Sequence, residues 1–200
     1  MYGINNINAL PSIPDVLRRA KGLALLDAII MPDWNFRYFS FNGAWNLPEN
    51  ESMASMRDGS GSEYFILFSP EGAAGKVLDA SLEQNVFDLL TEVPNTFNSF
   101  KVENAFNLED ATFYFWRAKD DVFWSSLPVD CKYYSYLEFL AGEVEIYHNW
   151  AEVYYEKSID FEALKEVFET LEVNEKNLYR INPDLTMEDV LSDVNEILGN

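Results

Sequence analysis

The chain has 200 residues, a hydrophobic fraction of 48 % and a formal net charge of −20, from 14 Lys and Arg against 34 Asp and Glu. A hydrophobic share of this size supplies a real core, and the length suits one domain. A charge this negative repels phosphate backbones and anionic bilayers, so no direct nucleic-acid or membrane-surface binding is expected, and a basic protein partner is favoured.

Cys131 is the single cysteine, which leaves no intrachain disulfide and suits a reducing compartment. Met1 is not followed by a basic and then apolar leader. The longest apolar run near the start, Leu23 to Met31, is interrupted by Asp27 and falls short of the ~20 residues that a span needs. The expectation is a cytoplasmic protein.

Ser12 reads as an N-cap with Pro14 in the first turn. Val16, Leu17, Ala20, Leu23, Ala24 and Ala28 then keep near-helical spacing through about Ile30. Arg18, Arg19 and Lys21 form the densest basic cluster, expected on the solvated face of that helix. Met31-Pro32-Asp33 stops it. From Trp34 to Phe41 the chain is rich in aromatics and apolar on both faces, which predicts a strand covered on both sides. Asn42-Gly43 reads as a turn, and Pro48-Glu49-Asn50 as the following loop. Short strands are predicted at Glu51 to Met56 and Ala73 to Leu78, around the clearest strand in the chain, Glu63 to Ser69. The turn between the first two, Asp58-Gly59-Ser60-Gly61-Ser62, has glycines that permit positive φ.

Ser81-Leu-Glu-Gln84 has capping-box spacing and predicts a helix carrying Val86, Phe87, Leu89 and Leu90 as far as Pro94. Residues 95–108 read as a short helix or a packed loop. Ala111 to Trp116 predicts a strand, with Val122-Phe123-Trp124 pairing back. From Ser135 onward the apolar positions recur at three- and four-residue steps, with Gly142 dividing two helices. Asp160 caps a helix from Phe161 to Leu171, and Thr186 opens a last one that ends at Gly199. From Glu138 to the end there are sixteen acids and four bases. The fold class predicted is α+β: an antiparallel sheet of about five or six strands within residues 34–124, packed with N-terminal and C-terminal helices. It reads as a single domain over 1–200, with a sub-boundary near 128–134, at Pro128, Asp130 and Lys132, as the alternative.

Motifs that would carry catalysis are incomplete. Gly72-Ala-Ala-Gly75-Lys76 lacks the earlier glycine of a phosphate loop, where Pro70 stands, and has Val77 in the magnesium-binding position. Glu145-Ile-Tyr-His148 has the spacing of one half of a di-iron site, but the chain's single histidine leaves no second half. Cys131 and His148 show no local setting for a nucleophile and its base. No catalytic residue, metal or cofactor is therefore assigned.

The segments Arg37-Tyr-Phe-Ser-Phe-Asn42, Met53-Ala-Ser-Met-Arg-Asp-Gly-Ser-Gly61 and Tyr64-Phe-Ile-Leu-Phe68 resemble a group of uncharacterised bacterial proteins. The resemblance spans about residues 23–80 and implies no activity. In composition the chain is also similar to bacterial immunity proteins, which neutralise basic toxin domains.

Two expectations follow. The first is a non-catalytic protein-binding module, immunity-like or regulatory, whose acidic and aromatic surface engages a basic partner. The second is a small-ligand site or an enzyme at the glycine-rich turn, residues 57–63. Candidate binding residues are Arg37, Arg57, Asp58, Gly59, Gly61 and Glu63 at the strand junctions, with Asn42 and Trp45 from the preceding segment. Trp45 is either a contact anchor beside Arg57 or a lid folded over the sheet.

Overall fold

The computed structural model describes residues 2–129 and 131–200; Met1 and Asp130, on which the leader and boundary readings partly rest, lie outside the described residues. A two-residue strand β1 (Gly3–Ile4) precedes helix α1 (Ile13–Ile30). The Ser12 side chain caps α1 by accepting from Asp15 N, with Pro14 in the first turn. Then comes a meander: β2 (Phe39–Asn46), β3 (Glu51–Arg57), β4 (Glu63–Ser69), β5 (Gly72–Leu78), β6 (Phe113–Ala118) and β7 (Ser125–Leu127). Each strand pairs antiparallel with the next, giving one six-stranded sheet in sequence order. The architecture is α+β, as the alternation of strand and helix periodicities predicts.

Both faces of the sheet are covered. Phe39, Phe41, Met56, Tyr64, Ile66, Phe68, Val77, Phe113 and Phe115 face α1 and the C-terminal helices. Phe65, Leu67, Ala74 and Tyr114 point the other way, under a cover of Val93, Phe97, Phe100 and Phe106. That cover comes from 3₁₀ turns and the one-turn helix α2 (Asn98–Lys101). Two covered faces explain the near-continuous apolar run of β4.

The C-terminal part comprises β8 (Tyr134–Ser135), which pairs with β1, and helices α3 (Glu138–Ala141), α4 (Val144–Tyr154), α5 (Phe161–Thr170), α6 (Glu175–Ile181) and α7 (Met187–Leu198). Asp160 accepts from Ala163 N to cap α5, and Gly199 ends α7 with φ 79°. Helix α1 lies against β2, α5 and α7. It is buried almost all round from Ala20 to Ile30, as expected of a central helix.

Several sequence expectations are corrected. Arg18, Arg19 and Lys21 are half-buried rather than solvated. Arg18 donates to Phe168 O at 2.9 Å, Lys21 donates to Leu198 O at 3.3 Å, and Arg19 donates to Gly142 O. Each cation meets carbonyls at the C-terminal end of another helix, where the helix dipole favours positive charge. Trp34–Phe36 is a 3₁₀ turn, because the Asp33 side chain accepts from Asn35 N at 3.0 Å; the strand begins at Phe39. Asn42-Gly43 is not a turn, since β2 continues to Asn46 with a register irregularity between Asn42 and Asn46. A Cβ on Gly43 would stand 2.6 Å from Gly199 N, so this glycine lets the two backbones approach. The helix expected after Ser81 is replaced by a loop and a 3₁₀ turn at Phe87–Glu92. Ser81 bonds Asp79 instead, and Val86 N bonds Ala111 O at 2.9 Å. Val122-Phe123-Trp124 is not a strand; the pairing falls on β7, while Trp124 Nε1 donates to Pro11 O at 2.7 Å.

Candidate binding cleft

Arg57 ends β3 with its guanidinium carbon 5.3 Å from the centre of the Trp34 ring and 5.6 Å from that of Phe65. The other five arginines each donate to a protein oxygen: Arg18 to Phe168, Arg19 to Gly142, Arg37 to Asp193, Arg117 to Asp121 and Arg180 to Asp160. Among the described residues Arg57 alone has a guanidinium with neither a hydrogen bond nor an ion pair. Two aromatic faces hold it in place and leave its donor edge open, a geometry that accepts a carboxylate, a carbonyl or a phosphate.

Arg57 borders a cleft of about 530 Å³ together with Trp34, Phe36, Arg37, Tyr154 and Glu156. Trp34 is 54 % exposed, Phe36 63 % and Tyr154 43 %. Three large aromatics around one open arginine is the composition that dominates binding hot spots. The 3₁₀ turn after Pro32-Asp33 puts Trp34 and Phe36 here, and Tyr154 arrives from the last turn of α4. A smaller cleft of about 190 Å³ runs on past Trp34 and Arg57 to Ser40, Asn42 and Trp45.

The candidates named from sequence divide. Arg37, Arg57 and Gly59 line the larger cleft, and Asn42 and Trp45 the smaller one. The Arg37 guanidinium is already committed, with a two-pronged ion pair to Asp193 at 2.7 and 2.8 Å and bonds to Met31 O and Pro32 O. Asn42 reaches Glu196 at 3.2 Å. Trp45 stacks on Phe106 with centres 5.9 Å apart and donates to Glu103 at 3.2 Å, so it is a lid on the second core more than a free anchor. Asp58 shapes the turn by accepting from Ser60 N at 2.7 Å and Ser62 N at 2.9 Å. Gly59 and Gly61 supply the positive φ angles of that turn, 73° and 103°. Glu63 sits opposite Arg57 on the neighbouring strand but lines neither cleft; it pairs with buried Lys76 at 2.7 Å. Lys76 also donates to Asn107 O and Asp110 O, so Glu63 belongs to the tie between the sheet and its second cover.

Sequence reasoning missed Trp34 and Phe36 as site residues because it counted them into a strand. The signal was present: proline followed by Asp-Trp-Asn favours an Asx turn over an extended run. Tyr154, about 120 positions away, carries no local signal at all.

Behind the cleft wall lies Asp27, fully buried in α1. Its Oδ2 accepts from Tyr38 N at 2.8 Å, Phe39 N at 2.6 Å and Tyr155 OH at 2.9 Å, and its Oδ1 from Tyr147 OH at 2.6 Å. Burial pushes its carboxyl up to about 6 even though all four bonds pull it down. This carboxylate positions Tyr38 and Tyr155, two residues of the cleft wall.

On the far side of Tyr38 and Tyr154 is a third pocket, of about 260 Å³, lined by Tyr2, Asp58, Asp79, Ser135, Tyr136 and Trp150 among others. His148, the sole histidine, is bonded to Ile159 O at 2.8 Å, away from these pockets. Among the described residues no group of three or more His, Cys, Asp or Glu side chains could hold a metal ion. Nor is any helix among them long and apolar enough to cross a membrane. Comparison with protein-family models, with curated proteins and with solved structures finds no match to this chain.

Proposed function

We propose that this chain is a non-catalytic binding protein that holds a basic partner protein at the Trp34–Arg57–Tyr154 cleft. The observation that carries the reading is the open aromatic mouth around an arginine whose guanidinium has no oxygen partner among the described residues. Exposed Trp and Phe side chains lose water on contact, and the Arg57 donor edge fixes orientation against a partner oxygen. The surplus of acids beyond Glu138 steers a basic partner towards the chain. An immunity-like or regulatory role fits a chain that acts by occupying its partner.

The test is capture from lysate on the immobilised chain, with elution by rising salt and parallel columns carrying Trp34→Ala and Arg57→Ala. The expected result is one basic protein retained by the parent chain, released by salt, and lost from both variants. Retention of that protein by both variants would overturn the assignment of the cleft.

The volume of the cleft favours a second reading, since about 530 Å³ lies inside the roughly 300–1,000 Å³ of small-molecule sites. In that reading the occupant is a small anion with a flat apolar body. A thermal-shift screen of aromatic carboxylates separates it from the first, because a protein partner needs no such compound.

A further inference from the structure

The third pocket has a composition that the cleft lacks. Its walls are aromatic: Trp150 and Tyr154 stack with centres 4.8 Å apart, and Tyr38 meets Tyr154 edge-on at 5.3 Å. Two carboxylates, Asp58 and Asp79, border it, and no lysine or arginine does. Asp79 is only 4 % exposed. Its Oδ1 accepts from Ser81 Oγ at 2.6 Å and Ser81 N at 3.0 Å, and its Oδ2 from Ser135 Oγ at 2.6 Å. Burial acts to raise its carboxyl, but those bonds outweigh it and hold the group below the usual carboxylate range. Asp58 Oδ2 accepts from Tyr136 OH at 3.2 Å, with room for a further donor.

Among the described residues, neither aspartate forms an ion pair; the cations pair instead with Asp193, Glu63, Glu71, Glu169, Asp160 and, from His148, Glu152. A buried carboxylate is ordinarily offset by a cation. Asp79 is kept ionised in a pocket that has none. The free space is below the size of a drug-like site, and suits one extended side chain.

We infer that the pocket between Asp58, Asp79 and the Tyr2–Trp150–Tyr154 walls takes a cationic side chain, the arginine or lysine of a basic partner. The aromatic faces attract the cation and cover its aliphatic stem, while the free lone pairs of Asp58 and Asp79 accept its N–H groups. The pocket shares Tyr38 and Tyr154 with the cleft, so one partner segment can fill both. The inference rests on the binding-protein reading for its partner, and on the pocket alone for its chemistry.

The test needs no partner. N-acetylarginine amide and N-acetyllysine amide are titrated into the full chain, with the neutral citrulline counterpart as control, and the indole N–H signals are followed by NMR. At least one cation is expected to move the Trp150 signal, with the citrulline compound about tenfold weaker. Asp58→Asn is expected to weaken the cation by a similar factor. Should that variant lose the turn, Tyr2→Ala removes one aromatic wall and leaves the turn intact, with a several-fold loss expected. Equal responses to cation and citrulline, or no Trp150 response to either cation, would overturn the inference. A captured partner that Tyr2→Ala retains in full would overturn it too, while leaving the cleft assignment standing. Cation binding with no captured partner has the opposite meaning.

Discussion

Tyr147 and Asp27 stand 120 positions apart in the chain and share a 2.6 Å hydrogen bond in the interior, from the phenol of α4 to the carboxylate of α1. With Tyr155 OH and the amides of Tyr38 and Phe39 on the same carboxylate, one side chain joins α1, the approach to β2, and α4. Among the described residues no other carboxylate accepts from as many residues.

The sign of its pH dependence follows from the raised carboxyl. A group at about 6 in the folded chain and about 4 when unfolded binds its proton preferentially in the folded state between those values. Its contribution is fully present below about pH 4 and is lost as pH rises through about 6. Asp27→Asn removes the titration, and Tyr147 can turn its hydroxyl to accept from the new amide. The stability of the parent relative to Asp27→Asn should therefore fall by on the order of 1 kcal/mol between pH 5 and pH 7.5. Urea unfolding of both proteins at the two pH values measures it, and a pH-independent difference would contradict the assignment.

Arg37 ties the approach to β2 to α7 through its paired bonds to Asp193. Lysine cannot reproduce a two-pronged contact together with the bonds to Met31 O and Pro32 O. Arg37→Lys should cost roughly 1–3 kcal/mol, read as a lower urea midpoint with faster amide exchange in α7.

Arg57 offers the contrast. Its side chain has no oxygen partner among the described residues, so Arg57→Ala should leave stability within about 0.5–1 kcal/mol of the parent, a loss set by its two ring contacts. Partner retention should nevertheless be lost. Thermal unfolding beside capture separates the two readouts.

Two glycines should fail for different reasons. Gly43→Ala places a Cβ 2.6 Å from the backbone of Gly199, and separating those segments should cost about 1–3 kcal/mol. Gly59→Ala meets nothing within 4 Å, but φ is 73°, so the cost is the left-handed backbone alone, about 1–2 kcal/mol. Only Gly43→Ala should raise amide exchange at the end of α7.

Much of the sheet was legible because its strands obey local rules. Glu63 to Ser69 is an unbroken apolar run between turn residues, and both of its predicted ends hold. The caps at Ser12, Asp160 and Gly199 were legible for the same reason. What failed was decided by distant partners. Ser81 has capping-box spacing, yet its hydroxyl serves Asp79, and Gln84 reaches Thr112 O instead of its own turn. Asn42-Gly43 looks like a turn until α7 is seen to need a glycine there. Helix α6 went unpredicted although Asn174 and Asn177 cap it reciprocally, because the box uses asparagine where glutamate or glutamine is usual. In the cleft, Arg37 and Arg57 were visible as odd charges near strand ends. That Arg37 is clamped depends on Asp193, far along the chain.

The placement of the basic side chains decides how a partner can be trapped. Of the eight lysines in the chain, the amines of Lys21, Lys76, Lys101 and Lys157 donate to main-chain carbonyls, and those of Lys119 and Lys165 lie beside glutamates. No lysine is among the residues of the cleft, so amine-directed cross-linkers find no handle there. Carbodiimide coupling meets the reverse: a chain with 34 Asp and Glu, whose carboxylates would meet the amines of the proposed basic partner. It is the zero-length chemistry suited to fixing the complex.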